Sequence, residues 1–127
     1  MQMFMDGSYG NVQYLSDSVV HEYTKCMYCI DDRIENRRGL GFDKPVTDGE
    51  GGPTCQCVSL ASFGHTGFTG TIGWADPEAN LVYIFLSNRV YPDAQNKKLI
   101  SLNIRTDIMQ VIYDANNGAD INPKPNP

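Results

Sequence analysis

Residues 62–87 read SFGHTGFTGTIGWADPEANLVYIFLS, and the order of residue types in this stretch decides how the chain folds. From Ser62 to Ala75, glycines punctuate aromatic, β-branched and polar residues, the mix of a strand whose backbone is closely approached by neighbours. Asp76 to Asn80 carries turn residues, and Leu81 to Ser87 is rich in β-formers, so the two runs predict a hairpin. The second run is apolar at consecutive positions instead of alternating ones, which predicts an interior strand covered on both faces.

Downstream of the hairpin, Pro92-Asp93 introduces a helix in which Ile100, Ile104, Ile108, Val111 and Ile112 recur at spacings of three and four, an apolar stripe. A helix of ~19 residues would be about 28 Å long, enough to lie across a sheet. It ends at Asn116-Asn117-Gly118, and residues 116–127 read as a flexible Pro/Asn-rich tail. Upstream, Arg38-Gly39-Leu40-Gly41-Phe42 alternates like a strand, residues 30–36 are charged and irregular, and residues 44–53 form a loop. Ser16 is placed to cap a helix from Asp17 to about Lys25, with Val19, Val20 and Tyr23 as its apolar face. Met3 to Met5 reads as a helix end running into a turn over residues 6–11. The fold class is therefore α+β: an antiparallel sheet of at least three strands packed by a long C-terminal helix. So few elements cover the apolar strand poorly unless a partner completes the layer.

With 127 residues, 41% of them hydrophobic, the chain can build one modest core. Fifteen acidic against 10 basic residues give a net charge of −5, and no basic run exceeds the pairs Arg37-Arg38 and Lys97-Lys98, read as solvated surface pairs. That surface repels phosphate backbones and argues against a nucleic-acid partner. Met1 to Met5 is followed at once by Asp6 and Gly7, with no basic n-region or long apolar region, so it does not read as a signal peptide. Trp74, Tyr83 and Phe85 are expected in the core.

The segments FGHTGFTGT (63–71), WADP (74–77) and LVYIFLSNR (81–89), preceded by GLGF (39–42) and followed by the terminal helix, resemble in residues and order the C-terminal end of the serine β-lactamase family. That family includes class C enzymes, penicillin-binding proteins and related esterases, and the resemblance runs over residues 1–115. It implies a partial transpeptidase-like fold in which His65-Thr66-Gly67 holds the place of the family's Lys-Thr-Gly triad on the strand bordering the active site. His65 and Thr66 would contact substrate, Gly67 would let it lie along the strand, and the backbone N–H of Phe68 would supply half of an oxyanion hole. A neutral imidazole anchors a carboxylate more weakly than an ammonium ion, which tilts the parent towards esterase or peptidase-like work.

The resemblance also implies a Ser-x-x-Lys nucleophile and a Tyr-x-Asn element ahead of the triad. None of Ser8, Ser16, Ser18, Ser59, Ser62, Ser87 or Ser101 has a lysine three residues later, and Tyr9-Gly10-Asn11 lies in a turn and matches by coincidence. The expected activity is acyl transfer on a β-lactam, peptide or ester in an exported or cell-envelope parent, this chain being inactive alone and needing no cofactor. Its expected partners are the remainder of the parent domain, a small-molecule or peptide substrate in the intact parent, and a second copy of the exposed segment. Two other readings stay open: a non-catalytic binding module derived from the same fold, and a small zinc-stabilised domain. Zinc would use Cys26, Cys29, Cys55 and Cys57, with His21 or His65 as a possible further ligand. The same cysteines can instead form disulfides that staple the end of the first helix to the loop before the triad strand, or remain as free thiols.

Overall fold

A computed structural model of the chain describes residues 1–29, 37–46 and 52–118. The charged stretch 30–36, most of the loop after Val46, and the tail beyond Gly118 lie outside the described residues. Helix α1 (Met3–Asp6) leads into a two-strand hairpin, β1 (Ser8–Tyr9) and β2 (Val12–Gln13), and then α2 (Asp17–Thr24). Ser16 caps α2, its Oγ accepting from the Val19 N–H at 3.4 Å. Of the expected apolar face of α2, Val20 alone is buried, while Val19 and Tyr23 are exposed.

The main sheet is an antiparallel meander of β3 (Phe63–Thr66), β4 (Ile72–Asp76) and β5 (Leu81–Phe85), in that order. The Gly-rich run is thus two strands and not one. Its middle, residues 67–71, is a turn closed by Gly67 N–H to Thr71 O at 2.8 Å and Gly70 N–H to Gly67 O at 2.9 Å. Arg38 to Phe42, expected as a strand, is instead a tight reversal: Gly39 N–H bonds Phe42 O, and Gly41 has φ +88°, a conformation that disfavours side chains. The chain doubles back there, and only Asp43 reaches the sheet, bridging Gly64 of β3.

A second correction concerns which strand is interior. The strand in the middle is β4, with Ile72, Trp74, Ala75 and Asp76 buried, whereas β5 lies at the edge and buries only Tyr83. Among the described residues β5 pairs with β4 alone, so its run of apolar residues leaves Val82, Ile84 and Leu86 in solvent. The terminal helix is also divided. Short α3 (Lys98–Ser101) and α4 (Ile104–Asn116) are separated at Asn103, whose φ of 52° is left-handed and cannot continue a helix.

The buried side of α4 is Met109 and Tyr113, one turn apart, and the aliphatic stripe of Ile108, Val111 and Ile112 faces outwards. Met109 and Tyr113 pack with Cys55, Ile72, Trp74 and Tyr83 as the core on one face of the sheet. Two hydrogen bonds pin the helix to the sheet: Tyr83 Oη donates to Arg105 O at 3.0 Å, and Tyr113 Oη to Asp76 Oδ2 at 2.8 Å. On the opposite face Phe63 packs against Phe42, which packs edge-on against Phe4 of α1. The architecture is α+β, an antiparallel three-stranded sheet under a C-terminal helix, and Trp74, Tyr83 and Phe85 all belong to its core or adjoin it.

Candidate functional site

The His65-Thr66-Gly67 run closes β3 and enters the 67–71 turn. Register fixes where each group points, because side chains alternate faces along a strand. Thr66 pairs with Ile72, on the core and helix face; His65 pairs with Gly73, on the opposite face. The structure therefore does not bring the imidazole and the hydroxyl together on one face. What they share is the outer edge of β3.

Backbone groups at that edge follow the same alternation. Gly64 turns both its groups away from β4, accepting from Asp43 N–H at 2.7 Å and donating to Asp43 O at 3.0 Å. Gly67 N–H turns inwards to Thr71, so alternation along β3 aims the Thr66 N–H outwards, while Phe68 lies in the turn that follows. A Cβ on Gly67 would run into the Thr71 hydroxyl, which explains glycine where this turn closes. His65 is exposed, with Nδ1 2.7 Å from its neighbour's carbonyl, Thr66 O. The Phe68 ring stands 76% exposed, with the Arg89 guanidinium 5.2 Å above it as a cation–π contact.

The cysteines fall into two local pairs. Cys26 joins Cys29 after α2, and Cys55 joins Cys57 before the triad strand. The expected staple between the two regions is thus replaced by two short closures, as each pair's sequence proximity favours. Among the described residues no three of His, Cys, Asp and Glu come together as a group that could hold a metal ion.

One group of residues escaped sequence reasoning. A cavity of about 330 Å³ on the helix face gathers Arg37, Arg38, Asp43, Lys44, Thr66 and Arg105. Arg37, expected as a solvated residue, has its Nε buried; Arg38 does remain largely in solvent and pairs with Asp43 at 3.1 Å. Lys44 is buried, its Nζ donating to Thr24 O and Ala61 O at 3.0 and 2.9 Å. Burial, and then repulsion from Arg37, push its pKa down to about 8 against an opposing pull from Asp76. Arg105 is also lowered, by burial first. These residues come from three separated segments, and no spacing in the sequence announces their convergence.

Residues 22–104 match the family model described as Beta-lactamase. The chain belongs to the β-lactamase family. Putative D-alanyl-D-alanine carboxypeptidases of Salmonella paratyphi B, Salmonella newport and Salmonella heidelberg are each 31% identical over 103 residues, covering 78% of this β-lactamase-family chain and 22% of their own length. A crystal structure of a β-lactamase from Mycobacterium bovis superposes with a TM-score of 0.60 at 23% identity, over 87% of this chain and 40% of that one. That likeness is one of fold. The β-lactamase-family chain thus spans 22% of the carboxypeptidases it matches, and none of its serines has a lysine three residues later.

Proposed function

We propose that this chain is the C-terminal part of a serine hydrolase domain that works by acyl transfer on a β-lactam, peptide or ester, and that it supplies one wall of the active site. The observation that carries this reading is the outer edge of β3. Past the Asp43 bridge the edge strand leaves the Thr66 N–H directed outwards, which supports an extended acyl substrate adding along it as a further strand. Phe68 N–H then polarises the acyl carbonyl as half of an oxyanion hole. Thr66 contributes a hydroxyl, and His65 a donor or acceptor from the far face. With a histidine in place of lysine, esterase or peptidase-like substrates are favoured over β-lactams.

The nucleophile and its lysine belong to the remainder of the parent domain, so the chain is inactive alone. Exposed Val82 and Ile84 on β5, Leu86 just after it, and Ile108, Val111 and Ile112 on α4 support a missing partner layer over an independent module. The likeness to carboxypeptidases supports an exported or cell-envelope parent. The test is labelling with a fluorescent β-lactam or fluorophosphonate, run on this chain and on the full-length parent. Acylation of the parent alone is the expected result, with loss of kcat in the parent on His65→Ala; acylation of this chain overturns the reading.

A further inference from the structure

The turn over residues 67–71 closes on itself through the Gly67 and Gly70 N–H groups, but its carbonyls are held from elsewhere in the chain. Thr69 O accepts from Arg89 N–H and from Ser87 Oγ, each at 2.9 Å, both from the segment that follows β5. Arg105 Nη1, from α4, donates to Gly70 O at 3.2 Å and Thr71 O at 3.5 Å. The support is also packed tightly against the turn. Gly70 has φ +91°, and a Cβ there would run into Leu99 Cδ2 and Ser87 Oγ.

Phe68 is held in a different way, through its ring. The Arg89 guanidinium lies over the ring face, 5.2 Å from its centroid, and its Nη1 is aimed by bonds to Ala94 O and Asn96 O, each at 3.4 Å. Arg89 thus grips the turn twice, by its backbone at Thr69 and by its side chain at Phe68. A ring standing so far into solvent is not fixed by burial, so the cation on its face is what restricts its rotamer and steadies the backbone that carries it.

We infer that Arg89 is a positioning residue for the acyl-transfer site, an assignment that rests on the acyl-transfer reading: through the Phe68 ring and Thr69 O it keeps the Phe68 N–H in one direction, without touching substrate itself. An oxyanion donor stabilises the transition state to the extent that it is oriented before the charge develops. A donor that wanders leaves ground-state binding to the rest of the site intact, so loss of the Arg89 side chain acts on the rate at saturation and not on affinity.

The test is saturation kinetics of acylation by the fluorescent probe, run on the full-length parent and its variants; the maximal rate and the half-saturating concentration stand for kcat and KM. Arg89→Met keeps the backbone bond to Thr69 O and is expected to lower the maximal rate about tenfold, with half-saturation moved by less than about twofold. Arg89→Lys keeps a cation for the ring and should recover most of that loss. Phe68→Leu removes the ring but not the N–H, and should fall as far as Arg89→Met. The double variant should then lie within about twofold of either single one, because the pair acts as a unit. A maximal rate in Arg89→Met within about twofold of the unmodified parent overturns the positioning role, as does a raised half-saturation at an unchanged rate, or losses that multiply in the double variant. If circular dichroism shows Arg89→Met unfolded, Phe68→Leu decides: a lowered rate at unchanged half-saturation supports the role, and an unchanged rate overturns it. An unmodified parent that takes no acylating probe overturns the acyl-transfer reading and this assignment with it, and it does so before any variant is made, so the two failures are distinct.

Discussion

The carboxylate of Asp76 is 1% exposed and accepts from Ser59 N–H at 2.8 Å, Ser59 Oγ at 2.6 Å and Tyr113 Oη at 2.8 Å. Weaker bonds from the Glu78 and Ala79 N–H groups complete its shell. Burial alone raises its pKa, but the donors outweigh burial and hold it below 3.8. A folded-state pKa below the unfolded one means stability that is complete well above 3.8 and is lost as pH falls through the folded value. Asp76→Asn sets an amide donor against these donors and should cost about 1–3 kcal/mol at pH 7 in urea unfolding, the gap narrowing as pH drops below 3.8. A gap independent of pH would show that Asp76 is not held ionised. Lys44 runs the other way. Between its folded value of about 8 and its unfolded 10.5, the unfolded chain holds the extra proton, so stability rises with pH. Measured against Lys44→Met, the unmodified chain should gain about 2 kcal/mol between pH 7 and pH 11, the ~3 kcal/mol of the full shift being reduced by solvent screening; a flat difference would mean that the ammonium is well solvated.

At the scale of elements, α4 presents two apolar edges, and only one is used. Met109 and Tyr113 meet the sheet, whereas the richer aliphatic stripe of Ile108, Val111 and Ile112 does not. Met109, 0% exposed, should cost about 2–4 kcal/mol as Met109→Ala, while Val111→Ser at a 54% exposed position should stay within about 0.5 kcal/mol. Equal losses in thermal or urea unfolding would put the helix the other way round. This pair of edges also shows what the sequence could convey. The turn over residues 76–80 was legible because Asp, Pro and Asn act locally, and the Ser16 cap for the same reason. Periodicity states which residues share a face, but not which face another element covers, so the α4 stripe and the interior placement of β5 were misread. The break at Asn103 was hidden inside an unbroken 3.6-residue rhythm. That His65 and Thr66 lie on a strand was legible from the residues around them; the cavity was not, since Arg37, Lys44 and Arg105 converge only through tertiary packing.

The misread stripe and the misread strand share one cause at the scale of the whole molecule. Both are apolar surfaces that no described element covers, as the proposed missing layer would explain. Ile84, 61% exposed on the edge strand, and Val111 on α4 offer an unpaired strand edge and an aliphatic helix face. Such surfaces recruit either the remainder of a domain or another copy of themselves. Sedimentation of this chain should therefore show association that grows with concentration, accompanied by binding of an apolar dye. Combining Ile84→Lys with Val111→Lys should return it to a monomer at little cost in stability, because both positions are already in solvent. The same double substitution in the full-length parent should instead destabilise the domain and abolish acylation, since there the lysines would be buried without partners. A monomeric, dye-free chain, together with a parent that tolerates both lysines, would make the exposed faces ordinary surface and the chain an independent module.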